Sequence, residues 1–283
     1  MALLLRALLA ALALAALSGC AWLDLQQRQL IFRPTAEIAG TPADFGFDFE
    51  ERWLDVATAP GGARPERIHA WWIAAPDATA PAILFLHGNG WNIGDSAYNT
   101  ARLRRMGYSV LAIDYRGYGR SQGGFPSEAS VVEDAQRGWL ELKALVPDVR
   151  RRFVYGHSLG GAIAIELMAR MHDAAGLIVE SSFTSMRDLA AEQHGLGWLP
   201  LGALLTQRFD SLARVGQVGV PVLLIHGEAD DVVPASMSRR LHEAAQAPKF
   251  IELIPGAGHS SIAVVAWERY RRVVQEFIGR FGH

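Results

Sequence analysis

The chain has 283 residues and only one cysteine, Cys20, which excludes an intrachain disulfide. It also lacks an excess of either charge. The 27 Lys and Arg face 29 Asp and Glu for a formal net charge of -2, and the basic residues are scattered, so nucleic acid is not an expected partner. No His, Cys and carboxylate group shows metal-ligand spacing, and neither a metal nor a cofactor is expected. The glycine-rich run Asp114-Tyr115-Arg116-Gly117-Tyr118-Gly119-Arg120-Ser121 lacks the spacing of a dinucleotide fingerprint and the Gly-Lys-Ser/Thr ending of a phosphate loop. It reads as a structural loop, with Tyr115 and Arg116 expected at the rim of a cleft. No internal repeat and no dividing linker is present, and a half-hydrophobic chain of this length can bury a sizeable core, so one domain is expected.

A long membrane span is missing too. The apolar run 7–17 behind Arg6 is too short for one and reads as a secretory signal. Leu17-Ser18-Gly19-Cys20 follows it and resembles the lipobox of bacterial lipoproteins, with the sole cysteine at the position that family lipidates. The resemblance implies cleavage of residues 1–19 and acylation of Cys20, with residues 20–43 as a lipidated tether. Loss of 1–19 removes one Arg and no acid, moving the formal charge from -2 to -3. Several acyl chains at about 0.8 kcal/mol per buried CH₂ would hold the chain stably at a membrane. Ala21 after the cysteine points to the outer membrane, so the expected location is the cell envelope, lipid-anchored and facing the periplasm.

From about residue 44 the chain alternates strand-like and helix-like patterns, which predicts an α/β domain over 44–283 with a mostly parallel sheet covered on both faces. Residues 45–56 and 67–74 read as strands flanking the turn-prone Pro60-Gly61-Gly62, an antiparallel hairpin, with one of the adjacent rings Trp71 and Trp72 in the core and the other outside. Strands are expected at 82–86, 109–113, 153–155, 177–179, 222–225 and 249–254. Helices are expected at 95–106, 127–145, 159–171 and 235–245, with a long C-terminal helix ending near 277. Each central strand ends in a polar, glycine-rich loop, and open α/β sheets bind ligands at those ends.

Tyr155-Gly156-His157-Ser158-Leu159-Gly160-Gly161 stands where such a strand meets a helix, which makes Ser158 a candidate nucleophile on a tight turn. A serine hydroxyl needs a base, and that base needs an orienting acid. Downstream, 225–234 offers Glu228, Asp230 and Asp231 on one post-strand loop, and Pro255-Gly256-Ala257-Gly258-His259 offers His259 on the next. His157 and His226 read as structural, and His87 as the organiser of its own loop.

These motifs, with Leu86-His87-Gly88-Asn89-Gly90 and the 114–121 run, resemble the α/β-hydrolase-domain proteins grouped with serine aminopeptidases and prolyl-oligopeptidase-like hydrolases. The resemblance covers the chain from about residue 45 onward. It implies the α/β-hydrolase fold and a Ser158-His259-Asp230 triad, Asp230 being selected by a Gly-x-x-Asp-x-x-Val-Pro pattern. It also implies an oxyanion hole from the backbone N–H of Asn89, or less readily Gly90, with that of Leu159. The expected activity is hydrolysis of a small-molecule acyl substrate, a carboxylic ester, through an acyl-enzyme. Thioester or peptide hydrolysis is the alternative within enzymes, and a tethered binding protein that retains the fold is the one outside them. Residues 181–218 read as a short cap, whose apolar 195–205 stretch is a small packed lid, an acyl-chain wall or a surface resting on lipid. Asp188 and Glu192 are the acids there that could hold a peptide ammonium group.

Overall fold

The computed structural model describes residues 2–56 and 65–282. Among them the strands β1 (Glu50–Val56), β2 (Glu66–Ile73), β3 (Ala82–Leu86), β4 (Ser109–Ile113), β5 (Arg152–His157), β6 (Gly176–Glu180), β7 (Val222–Gly227) and β8 (Lys249–Ile254) form one sheet in the order β1-β2-β4-β3-β5-β6-β7-β8. β1 pairs antiparallel with β2, and β2 with β4, while every later pairing is parallel. The expected turn at Pro60-Gly61-Gly62 lies outside the described residues. β3, β4, β5, β6 and β7 are buried along their whole length, as the continuous apolar run of β3 requires of a strand covered on both faces.

The helices α2 (Ala97–Arg105), α3 (Glu128–Leu145), α4 (Leu159–Met171), α8 (Ala235–Ala244) and α10 (Trp267–Phe281) supply that cover. Two apolar cores result, one on each side of the sheet. Leu84, Leu111, Val154, Leu177 and Leu224 face one, and Ile83, Val110, Phe153, Ile178 and Leu223 face the other. Trp71 and Trp72 do face opposite sides, but neither ring is outside: Trp71 lies 1% exposed in the second core and Trp72, partly buried, packs against the first. The expected strand 45–56 starts only at Glu50, because Pro42–Phe45 coils into a 3-10 turn ended by left-handed Gly46. The C-terminal helix is broken at Ala266 into α9 (Ile262–Val265) and α10.

The cap between β6 and β7 holds the short helices α5 (Met186–His194), α6 (Leu201–Leu204) and α7 (Ser211–Val215). At the N-terminus α1 runs continuously over Ala2–Ile31. The segment 20–43, read as a tether, lies against the domain: Phe32 is 1% exposed in the first core and meets the Phe209 ring edge-on at 5.9 Å. Among the described residues no helix is long and apolar enough to cross a membrane.

What fixes the site is the closeness of α4 to the sheet. A Cβ built on Gly160 would stand 2.1 Å from the Leu86 carbonyl oxygen, and one on Gly156 would stand 2.2 Å from that of Gly160. Both obstacles are backbone and cannot swing aside. Gly160→Ala is therefore expected to cost about 3 kcal/mol or more, read as a lower urea midpoint. The same change at Gly202 in α6, where a methyl group meets nothing within 4 Å, is expected to leave the midpoint unmoved.

Candidate active site

Ser158 sits between β5 and α4 at φ 54, ψ -118, a conformation that a residue with a Cβ rarely adopts. Hydrogen bonds on both sides hold it there. Its N–H donates to the Glu180 carbonyl at 2.8 Å, and its own carbonyl accepts from Ser182 Oγ at 2.8 Å. The Ser158 hydroxyl stands 2.9 Å from His259 Nε2, and His259 Nδ1 stands 2.8 Å from Asp230 Oδ2. An ionised carboxylate only accepts, so Nδ1 carries the proton and Nε2 is left to accept from Ser158 Oγ–H.

Asp230 alone of the three acids on its loop reaches His259: Asp231 is exposed, and Glu228 pairs with Arg239 at 3.2 Å. Its second oxygen accepts from the N–H groups of Val232 and Val233 at 2.9 and 2.8 Å. Burial opposes ionisation of Asp230, yet hydrogen bonds from His226, His259 and the Val233 N–H outweigh it and hold the carboxyl well below the usual carboxylate range. The His226 contribution goes beyond the structural role expected for it. Its Nε2 lies 3.2 Å from Asp230 Oδ2 and 2.9 Å from the Val233 carbonyl, while its Nδ1 lies 2.6 Å from Ser238 Oγ. The sequence signal was there, four residues before the acid at a strand end, but that spacing in a loop does not say which way a ring turns.

His157 is likewise more than packing. Its ring stacks on Trp91 with centroids 5.7 Å apart, and its Nε2–H donates to the His259 carbonyl at 3.2 Å, so it pins the backbone of the residue beside Ser158. Burial pushes its pKa down to about 4, partly offset by Glu180, and the ring is neutral at neutral pH. Below it lies an ion pair with both side chains about 1% exposed, Arg102 to Glu180 at 2.6 Å, to which the Tyr155 hydroxyl is also hydrogen-bonded. Glu180 thus serves the elbow twice, through its carbonyl and through a carboxylate that pairs with Arg102 Nη2 and the Tyr155 hydroxyl.

His87 lies in the loop after β3 and its Nδ1–H donates to the Gly88 carbonyl at 2.8 Å, as expected of a loop organiser. Tyr115 and Arg116 do not line a cleft. Tyr115 is fully buried and its hydroxyl donates to the His87 carbonyl at 3.1 Å, whereas Arg116 turns inward to Asp134 at 2.8 Å. The loop is tightened by left-handed glycines, which carry these side chains into the core instead of over its edge. Asn89 is exposed, with Oδ1 accepting from the Arg33 N–H at 3.0 Å, and Leu159 is the first residue of α4, where helical N–H groups lack internal partners. Asp188 and Glu192 of the cap both pair with Arg240, at 2.8 and 3.2 Å. Among the described residues no cluster suits a metal ion.

A serine on a strained strand-to-helix turn, a histidine at its hydroxyl and a buried acid behind it, after β5, β8 and β7 of one parallel-rich sheet, define an α/β-hydrolase. The model of the family described as serine aminopeptidase, S33, matches residues 77–209 and 201–263, and the chain belongs to that family. It is 36% identical over 238 residues to an uncharacterized protein of Mycobacterium tuberculosis, a match covering 83% of this chain and 81% of that one. Similarity to the lysophosphatidylserine lipase ABHD12 of Danio rerio is 34% identity over 197 residues, 63% of this chain and 51% of the relative, so the chain spans about half of that relative's length. Among solved structures the esterase Pf2001 of Pyrococcus furiosus superposes with a TM-score of 0.71 at 22% identity, covering 89% of this chain and 100% of that one.

Neutral buried histidines make the domain sensitive to acid. His157 at about 4 and His87, also lowered by burial, bind fewer protons folded than unfolded between their folded values and the ordinary 6.5. Stability is present above that ordinary value and falls with pH in this window. For His157 the full loss is on the order of 3 kcal/mol. Thermal melts from pH 7 to pH 4 are expected to show a falling midpoint, with a shallower slope in His157→Gln; parallel slopes would contradict the burial argument.

Proposed function

We propose that the protein is a serine hydrolase of carboxylic esters, acting through Ser158, His259 and Asp230 and held at a membrane by acylated Cys20. The observation that carries the reading is the chain of two short contacts, Ser158 Oγ to His259 Nε2 at 2.9 Å and His259 Nδ1 to Asp230 Oδ2 at 2.8 Å. As Ser158 Oγ bonds to the ester carbonyl carbon, His259 Nε2 takes the hydroxyl proton, and the carbonyl oxygen becomes an oxyanion. The Asn89 and Leu159 N–H groups are the donors assigned to it, each worth about 3 kcal/mol at the transition state. His259 then returns the proton to the departing alkoxide, which leaves as the alcohol. Water, losing a proton to the same nitrogen, attacks the acyl-enzyme, and Ser158 departs as the acid forms. Asp230 keeps Nδ1 protonated throughout and stabilises the imidazolium.

Esters are favoured over peptides by the cap. Asp188 and Glu192 are both committed to Arg240, which leaves neither free to meet a substrate ammonium group. The zebrafish relative, named a lipase, points the same way. The lipid anchor is supported by the lipobox-like Leu17-Ser18-Gly19-Cys20 and by the exposure of Cys20.

A fluorophosphonate probe is expected to label the wild type and not Ser158→Ala, which keeps the wild-type circular dichroism spectrum and loses ester turnover by about 10⁶-fold. Labelling that survives in Ser158→Ala, or folded wild type that never labels, would sink the assignment. Esters, thioesters and amides of one acyl group, compared by kcat/KM, rank the leaving groups, and the ester is expected to lead.

A further inference from the structure

The N-terminal segment contains a device that a flexible tether would not need. Where α1 reaches the domain, Gln27 is 9% exposed and both ends of its amide are used: Nε2 donates to the Leu204 carbonyl at 2.8 Å, and Oε1 accepts from the Thr206 N–H at 2.8 Å and its hydroxyl at 3.1 Å. One turn earlier Asp24 accepts from Gln207 Nε2 at 2.8 Å, and one residue after Gln27, Arg28 Nε donates to the Pro126 carbonyl at 2.7 Å. Glu128 locks the same stretch of the cap, its carboxylate accepting from the N–H groups of Arg208 and Phe209 at 2.6 and 2.9 Å. The helix is thus bolted to the cap that follows the nucleophile's own strand neighbour, and Ser182, at the root of that cap, bonds to Ser158.

Around this joint the surface is apolar and uncovered. Trp22, Leu25 and Leu30 are exposed on α1, Phe125 beside Arg28, and Leu204 and Trp198 on the cap, the last at 79% and Trp22 at 63%. Cys20 lies on the same helix as Gln27, seven residues before it, a rise of about 10 Å. Acyl chains on Cys20 would therefore hold the joint within about one helix diameter of the bilayer, with no slack between. Tryptophan rings favour the boundary between headgroups and hydrocarbon, and large apolar side chains exposed on neighbouring elements suit such a boundary.

We propose that the α1 and cap surface docks flat on the lipid bilayer, so that Trp22 and Trp198 enter its interface and the cap, not only the N-terminus, contacts lipid. This rests on acylation of Cys20 and on the hydrolase reading above, and it narrows the substrates to amphiphilic esters presented by the membrane. The full acylated protein, reconstituted in phosphatidylcholine and phosphatidylglycerol vesicles carrying brominated acyl chains, provides the test through quenching of its tryptophan fluorescence. The double variant Trp22→Phe/Trp198→Phe is expected to lose about two-fold or more of the quenching, since interfacial rings report it. Gln27→Ala, which opens the joint, is expected to lose the part removed by Trp198→Phe and keep the part removed by Trp22→Phe.

Quenching unchanged in the double variant overturns the proposal. So does a patch buried against a second copy, seen as a detergent-stable dimer that Trp198→Asp dissociates, or a mature N-terminus without acyl chains. Turnover of a water-soluble short-chain ester, measured on the same samples, separates the two readings. Its presence with no Trp198 quenching leaves the hydrolase and removes the docking surface, while its absence in folded wild type removes the hydrolase.

Discussion

The contact on which the rest depends is backbone against backbone: α4 lies so close to β3 and β5 that the Leu86 carbonyl fills the place of any side chain at 160. That approach forces Ser158 into a left-handed turn, and the turn lifts its hydroxyl off the sheet toward the loops of the neighbouring strands. Strain of this kind costs on the order of 1–3 kcal/mol and persists only where surroundings overdetermine it. Here the overdetermination is visible in the Glu180 and Ser182 bonds on either side of the serine, and in the buried Arg102 pair beneath them. A charged pair in the core is expensive to desolvate. Its carboxylate belongs to the residue whose carbonyl holds the Ser158 N–H, which ties that cost to the geometry of the turn.

The assembly of the site follows from the sheet. Parallel strands end on one side, so β3, β5, β7 and β8 deliver the His87 loop, Ser158, Asp230 and His259 to a common edge from segments as far apart in sequence as 87 and 259. Charge on the acid is maintained by donors from three directions, two loop amides and the His226 ring among them. An Asp230 whose ionised form is favoured in this way can hold one tautomer of His259, leaving Nε2 to face the Ser158 hydroxyl.

Much of this was legible in the chain. β3 is an unbroken apolar run, the pattern of a strand covered on both faces, and α3 opens at Ser127, whose hydroxyl accepts from the Ser130 N–H at 3.2 Å. The glycines at 156 and 160 announced the elbow before any coordinate. What could not be read was orientation inside loops. Tyr115 and Arg116 sit in a polar, glycine-rich stretch that suggests a rim, yet left-handed turns at Gly117 and Gly119 fold them under it. One of the Trp71 and Trp72 rings was expected outside because alternation tells that neighbours take opposite faces, not whether both faces are covered. The joint at Gln27 is a long-range pairing with residues near 205, and a lone glutamine on a helix carries no mark of its partner.

The placement of the three residues across the sheet has its own consequence. Ser158 springs from β5, in the middle of the order, whereas His259 follows β8, the terminal strand, of whose six residues only Ile254 is fully buried. Protection against local opening follows burial and neighbouring strands, so the rim of a sheet frays before its centre. Ser158 thus stands beside the fully buried centre of the sheet and His259 beside a less buried edge strand. Opening of β8 alone would part His259 from Ser158 while the centre of the sheet stays folded, so the geometry of the site and the survival of the fold run on separate clocks.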